Sequence, residues 1–242
     1  MRHEEYIAAL RRESAELARA ARRAGVEAPV PSCPGWTVGD LCSHVGRLQR
    51  WWTLAVEERP KPPHSSWKQI EAPEGDALFD FVEAGAPRLV DALAGVDPDA
   101  KVWSWTGDDR AGFWARRAAH EMSVHRWDAQ LAAGTVEPLD TPLAVDGIQE
   151  VFDVLPARPA HERVRGDGET IHLHCTDTDG EWLIRLAPQG AVVTREHAKG
   201  DVAARGTASD LLLLVWGRVP PDRVEVFGDA SLLSRWQDLA RF

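Results

Sequence analysis

The sequence AHEMSVHRWD, residues 119–128, lies in a segment that we predict as one helix, from about 111 to 133. Glu121 and His125 are four residues apart, so a helix places this carboxylate and this imidazole on one face, within reach of one metal ion. His120 and His125 are five residues apart, whereas the zinc-protease signature needs two histidines four apart. The segment therefore places two candidate ligands of one metal ion on one helix face, and it does not match the protease signature.

A second helix is predicted from near Thr37 to about Glu58, after a proline-rich loop. Thr37, with Asp40 three positions later, resembles a capping box, which marks a helix start. The apolar stripe of this helix consists of Val38, Leu41, Val45, Leu48, Trp52 and Ala55. His44 lies at the edge of that stripe, so we predict that it faces inward or nearly so.

Two more helices are predicted in the N-terminal half, over about 6–25 and 75–93, although Pro87 lies inside the second pattern. Four helices before residue 135 indicate a bundle. Beyond about residue 155 the pattern changes to the alternation that is typical of strands. The elements predicted there are a hairpin of strands 170–175 and 181–186, a third strand at 191–195, a buried helix at 209–216, a short β segment at 224–227 and a closing helix at 229–239.

These patterns predict an α+β protein with two domains, a four-helix bundle over residues 1–152 and a small α/β domain over residues 153–242. His44, Glu121 and His125, if they all face inward, meet inside the bundle. We expect the smaller domain to close over this site or to shape its mouth.

Composition and charge exclude several classes of protein. The chain has 242 residues, of which 44% are hydrophobic and 27% charged, and its formal net charge is −10. Because it has no free basic cluster, we expect no nucleic-acid partner. No apolar run is long enough to cross a bilayer, and the N-terminal residues lack the apolar core of a secretion signal, so we expect a cytoplasmic protein with no membrane partner. Three scattered cysteines argue against a disulfide framework or a four-thiolate zinc site, and we assign Cys33 and Cys42 to structure.

Each candidate residue also has an ordinary structural interpretation. A Glu–His pair on one helix face is most often a surface ion pair or a buried hydrogen bond, and a histidine beside an apolar stripe is more often a core residue than a ligand. Asp128, three residues after His125, either orients that imidazole or faces water. Arg47 and Arg218 either bind a substrate carboxylate or are solvated, as most helical arginines are. The residues alone leave these alternatives open.

Three stretches of the N-terminal half, PSCPGWTVGDL at 31–41, HVGR at 44–47 and RAAHEMSVHRWDA at 117–129, resemble the mycothiol-dependent maleylpyruvate isomerase family. GTASD at 206–210 and VFGD at 226–229 are similar to the ending of that family, so the resemblance spans nearly the whole chain. It implies a DinB-like metal-binding four-helix bundle followed by a small C-terminal domain of sterol-carrier-like α/β type. The motifs are specific for the family and not for its substrate.

Carried over to this sequence, the resemblance implies a zinc ion held by His44, Glu121 and His125. Two imidazoles and one carboxylate leave coordination positions open, as a catalytic zinc site requires. The resemblance further implies mycothiol as a thiol cofactor or co-substrate, which adds to a small electrophile that carries carboxylates. The outcome is either cis–trans isomerisation, when the thiol is eliminated again, or S-transfer, when the thioether leaves. We assign catalytic roles to Arg47, Arg218 and Asp128, and cofactor contacts to Trp36 and Trp127.

Two other classes of function stay open. In the first, the chain is a metal-dependent hydrolase or transferase of the same fold that uses zinc-bound water instead of a thiol. In the second, the chain is a non-catalytic protein that binds a small molecule. The three ligands would also accept other divalent transition metals, and the sequence fixes neither the substrate nor the oligomeric state, although a monomer is compatible with it.

Overall fold

The computed structural model describes residues 1–158 and 163–240. The chain divides into two compact units, Met1–Glu137 and Pro138–Phe242. Among the described helices, none combines the length and the apolar character that a membrane span requires.

The first unit contains the four predicted helices. They are α1 (His3–Ala24), α2 (Val38–Glu57), α3 (Ala77–Ala94) and α4 (Ala111–Ala132), and a short 3₁₀ helix covers Trp67–Gln69. Helix α1 packs along α4 and α3, and α2 packs along α3 and more lightly along α4. The unit is therefore a helical bundle, as the sequence predicts.

Local chemistry explains where α2 begins and how α3 tolerates a proline. The Thr37 hydroxyl accepts a hydrogen bond from the backbone N–H of Asp40 at 3.2 Å, and the Asp40 carboxylate accepts one from the backbone N–H of Thr37 at 2.8 Å. This is the predicted capping box, and it starts the helix at Val38. Pro87 is exposed on α3, so the carbonyl that loses its helical partner lies on the solvent side.

Helix α4 is buried around nearly its whole circumference, although it is rich in polar residues. Buried charged and polar side chains cost free energy unless they are paired. The buried polar residues of α4 are Arg117, His120, Glu121, Ser123, His125, Arg126, Asp128 and Gln130. A central helix of this composition is held by polar networks, and one of these networks contains the predicted metal ligands.

The described residues of the second unit form a five-stranded sheet and three α-helices. The strands are β1 (Thr170–Cys175), β2 (Glu181–Ala187), β3 (Gly190–Thr194), β4 (Val202–Gly206) and β5 (Glu225–Gly228), in the order β3-β2-β1-β4-β5. Strand β1 is antiparallel to β2 and parallel to β4. The helices are α5 (Thr141–Val154), α6 (Ala208–Val215) and α7 (Ser231–Ala240). The two units together give the predicted mixed α+β fold.

Helix α5 and strand β4 are not indicated by the sequence periodicity. Strand β4 has the sequence VAARG, whose small residues and arginine give no clear alternation, and the parallel pairing with β1 forms it. Helix α5 packs against α6 and belongs to the second unit. The structural division therefore falls between Glu137 and Pro138, before α5, whereas the sequence places the boundary between residues 152 and 153.

Candidate metal centre

Helices α2 and α4 bring His44, Glu121 and His125 together. The Nε2 atoms of His44 and His125 each lie 3.3 Å from the same carboxylate oxygen, Glu121 Oε1. The centroids of the two imidazole rings are 5.1 Å apart. One ligand atom from each residue lies within 4.8 Å of the others, so a single ion can contact all three.

Asp128 fixes which nitrogen of His125 faces this cluster. Its Oδ2 atom lies 2.9 Å from His125 Nδ1, and its Oδ1 atom accepts a hydrogen bond of 2.6 Å from the Ser32 hydroxyl. A carboxylate at this distance favours the tautomer in which Nδ1 carries the proton, and the lone pair is then on Nε2. That lone pair points at Glu121 Oε1, and two electron-rich atoms in this position attract each other only through a proton or a cation between them. The Asp–His arrangement is the one that orients metal-bound histidines.

Arg117 is a member of this network that the sequence analysis did not single out. It lies one helical turn before Glu121 on α4, it is buried, and its guanidinium donates to Glu121 Oε2. This contact occupies one oxygen of the carboxylate and leaves Oε1 directed at the two histidines. The spacing of four residues between Arg117 and Glu121 is the signal in the sequence that could have revealed the pair.

Aromatic rings cover the imidazoles. The Trp36 ring lies 5.3 Å from the His44 ring and 6.4 Å from the His125 ring, with which it is stacked. Trp67, from the short 3₁₀ helix, lies 5.4 Å from the His44 ring, and no pattern in the sequence indicates this contact. Trp127 is buried and follows His125 by two residues, so it projects about 200° around α4 from it. Trp36 is thus placed beside the cluster, and Trp127 points to another side of the helix.

The two arginines assigned to the substrate lie in different units. Arg47 is half-buried on α2, one turn after His44, and within the described part of the chain its Nε atom is buried without a hydrogen-bond partner. Arg218 belongs to the second unit, where its guanidinium donates to the carbonyl of Trp216 at 3.1 Å. The catalytic roles of both arginines stay predictions.

The cysteines near the cluster differ in environment. Burial raises the pKa of the Cys42 thiol to about 12, which makes it a poor nucleophile. The Cys33 thiol is half-buried and donates to Asp128 Oδ2 at a distance of 3.6 Å. The PSC turn before α2 thus contributes both Ser32 and Cys33 to the surroundings of Asp128, a contact that sequence spacing cannot show because 95 residues separate Cys33 from Asp128.

The donor set fits a divalent transition metal. Two imidazole nitrogens and one carboxylate oxygen form a ligand set of the kind found in catalytic zinc sites. Ligands about 2.0–2.1 Å from a tetrahedral ion lie about 3.3–3.4 Å from one another, which is close to both His–Glu separations. The His44 side chain is 20% exposed, so solvent reaches this ligand, whereas the side chains of Glu121 and His125 are buried.

The helical unit with this cluster, followed by a unit built on a five-stranded sheet, defines a two-domain α+β protein with a candidate metal centre in its bundle. The chain belongs to the mycothiol maleylpyruvate isomerase family. The model of that family's N-terminal domain matches residues 7–130, and the model of its C-terminal domain matches residues 142–235.

Solved structures support the same fold. The crystal structure of the mycothiol-dependent maleylpyruvate isomerase is 16% identical in sequence, with a TM-score of 0.63, and the match covers 93% of each chain. A mutant of that enzyme gives 15% identity and a TM-score of 0.65 over the same shares. At this identity the likeness establishes the common fold. Comparison with curated proteins gives no significant match.

Proposed function

We propose that this protein is a metal-dependent isomerase that uses mycothiol to convert a small unsaturated carboxylate of the maleylpyruvate type from cis to trans. The observation that carries the proposal is the convergence of His44 and His125 on one oxygen of Glu121, with Asp128 behind His125. Membership of the family and the names of the two similar structures suggest the thiol and the substrate class. Zinc is the metal proposed, because the donor set and the separations suit it.

A zinc ion held at this cluster would supply Lewis acidity, which lowers the pKa of a thiol. His44, Glu121 and His125 would hold this ion. Asp128 keeps the proton of His125 on Nδ1 and so keeps Nε2 available as a ligand. Arg117 holds one oxygen of Glu121 and so orients the other.

Arg47 is the residue of the bundle that we propose to hold a substrate carboxylate. Its side chain is half-buried, and a guanidinium offers paired N–H donors that match a carboxylate. It lies one helical turn from His44, on the same side of α2. Trp36, beside both imidazoles, is proposed as an apolar wall for the thiol cofactor, and a carboxylate-binding role for Arg218 stays a prediction from the sequence.

The activity is tested by incubating zinc-loaded protein with maleylpyruvate and mycothiol and by following the cis and trans isomers by proton NMR. We expect conversion to the trans isomer only when both zinc and mycothiol are present, and none with His125→Ala. Arg47→Gln should keep the zinc and raise the KM for maleylpyruvate more than tenfold. A stable thioether product would instead identify an S-transferase. Equal turnover without mycothiol or in metal-free protein would contradict the proposal.

A further inference from the structure

Three histidines surround one carboxylate in the second unit, away from the residues of the bundle cluster in sequence. His172 and His174 lie on β1, and because side chains alternate along a strand, both project from the same face of the sheet. Glu181 begins β2 and is the register partner of His174. His197 follows β3, in the connection to β4. The hairpin register therefore brings these side chains to one place.

The chain passes unusually close to β1 where it approaches His197. A Cβ atom at Gly200 would lie only 3.0 Å from the backbone nitrogen of His172 and 2.7 Å from the carbonyl oxygen of Val202. Only a residue without a side chain fits there without displacement. This close approach places the connection that contains His197 directly against the strand that contains His172.

The polar atoms of this cluster converge on both oxygens of Glu181. His197 Nδ1 lies 2.7 Å from Oε2, and His172 Nε2 lies 3.2 Å from the same oxygen. His174 Nδ1 lies 2.8 Å from the other oxygen, Oε1. Ligand atoms of His172, Glu181 and His197 all lie within 4.8 Å of one another.

This geometry repeats the pattern of the bundle cluster. In both places two imidazole nitrogens face one carboxylate oxygen. The second oxygen of that carboxylate contacts another polar side chain, which is Arg117 in the bundle and His174 here. Imidazole with carboxylate suits Zn²⁺, Cu²⁺ or Ni²⁺ and is a poor set for Mg²⁺ or Ca²⁺, which prefer oxygen ligands. The His197 side chain is 82% exposed, whereas that of His172 is buried, so an ion can enter from the His197 side.

We propose that His172, Glu181 and His197 form a second binding site for a divalent transition-metal ion, with His174 as the positioning residue that orients Glu181. The site does not depend on the activity proposed for the bundle, since none of its residues belongs to the first unit. Its metal has open coordination positions beside an exposed ligand, so it can also accept an imidazole or carboxylate from a small molecule or a protein surface.

The test uses the whole chain, from which metal is first removed by chelation. The protein is then equilibrated with Zn²⁺ alone, and unbound Zn²⁺ is removed by gel filtration. Elemental analysis should give two zinc ions per chain for the wild type and one for His197→Ala. His64→Ala is the matched control, because His64 is also an exposed histidine hydrogen-bonded to a glutamate, and it should keep two ions. Since His197 is so exposed, its replacement should leave the circular dichroism and Tm of metal-free protein unchanged.

The role of His174 as a positioning residue is tested by the affinity of the second site for zinc. His174→Ala should retain the second ion at saturating zinc but raise its Kd about 10–100-fold, as loss of an outer partner does in other metal sites. A Co²⁺-loaded sample should show a d–d absorption spectrum with two components, of which His197→Ala removes one. Equal zinc content in wild type and His197→Ala overturns this inference. One ion in the wild type that only His125→Ala removes overturns it too, while leaving the function proposed for the bundle intact.

Discussion

At the scale of single residues, the candidate site depends on how the nearest neighbours fix each ligand. Helical spacing and an apolar stripe allow His44, Glu121 and His125 to meet, the family resemblance implies that they form one ligand set, and the structure brings their side chains together. Ser32 and Arg117 complete the network by contacting Asp128 and Glu121. Sequence spacing alone does not distinguish these contacts from many other possible pairs. The contacts that the sequence does not predict are those made by the turn before α2, where Ser32 and Cys33 contact Asp128 on α4.

Asp128→Asn tests the orienting role of that aspartate. The amide is similar in size but replaces the acceptor oxygen facing His125 by a group that can also donate, so the preference for the Nδ1–H tautomer is weakened. We expect the Kd for zinc at the bundle site to rise about 10–100-fold with little change in the fold. The measurement is competition with a chromophoric chelator, in the His197→Ala background.

The control for this variant is Ser32→Ala, which removes one hydrogen bond to Asp128 and leaves the carboxylate in place. It should weaken zinc binding less than Asp128→Asn does. An unchanged Kd in Asp128→Asn would show that the aspartate is only a structural acceptor.

At the scale of elements, α4 is held in the bundle by buried polar pairs as much as by apolar packing. Glu13 on α1 and Arg126 on α4 are both buried, and Arg126 Nε donates to Glu13 Oε2 at 2.9 Å. Arg126 also donates to Gln130 Oε1 at 2.7 Å. This pair joins the two helices that pack most extensively on each other.

Glu13→Gln should destabilise the protein without removing the metal. It leaves the buried guanidinium of Arg126 without the carboxylate of Glu13, and breaking a buried ion pair costs about 3–5 kcal/mol in the free energy of unfolding. Urea unfolding measures this loss. Glu16→Gln, the same substitution in an exposed pair with Arg19 on the same helix, should cost less than about 1 kcal/mol. Similar losses for both variants would contradict the account of α4.

The elements that the sequence predicts are those with strong local signals. The capping box at Thr37 and the turn between β1 and β2 determine their structures over a few residues. Strand β4 forms because its neighbours β1 and β5 supply hydrogen bonds on both sides, and that information is not local. Helix α5 has an Asp140 cap and a proline in its first turn, which are start signals independent of apolar periodicity.

At the scale of the whole molecule, composition and the change of periodicity predict a helical unit followed by a mixed unit, and the structure confirms this division of fold classes. The position of the boundary depends on which core receives α5, and that is decided by packing against α6. All residues of the bundle cluster belong to the first unit, so its metal should stabilise that unit.

Zinc should therefore raise the thermal stability of the bundle. An ion that binds only the folded state adds about 2.7 kcal/mol when its free concentration is 100 times its Kd. We expect a higher Tm in calorimetry of the His197→Ala variant on addition of zinc, reversed by a chelator. Adding His44→Ala to that variant should abolish the increase. The same increase in this double variant would show that zinc stabilises the protein elsewhere.

We propose that α2 and α4 together hold one metal ion, and the zinc content of the protein tests this. Elemental analysis after zinc reconstitution should compare the wild type, His44→Ala, His125→Ala and the control His64→Ala. We expect each of the first two variants to contain one zinc ion fewer per chain than the wild type, and His64→Ala to contain as many. Equal zinc in wild type and His125→Ala, or no zinc in the wild type, would contradict it.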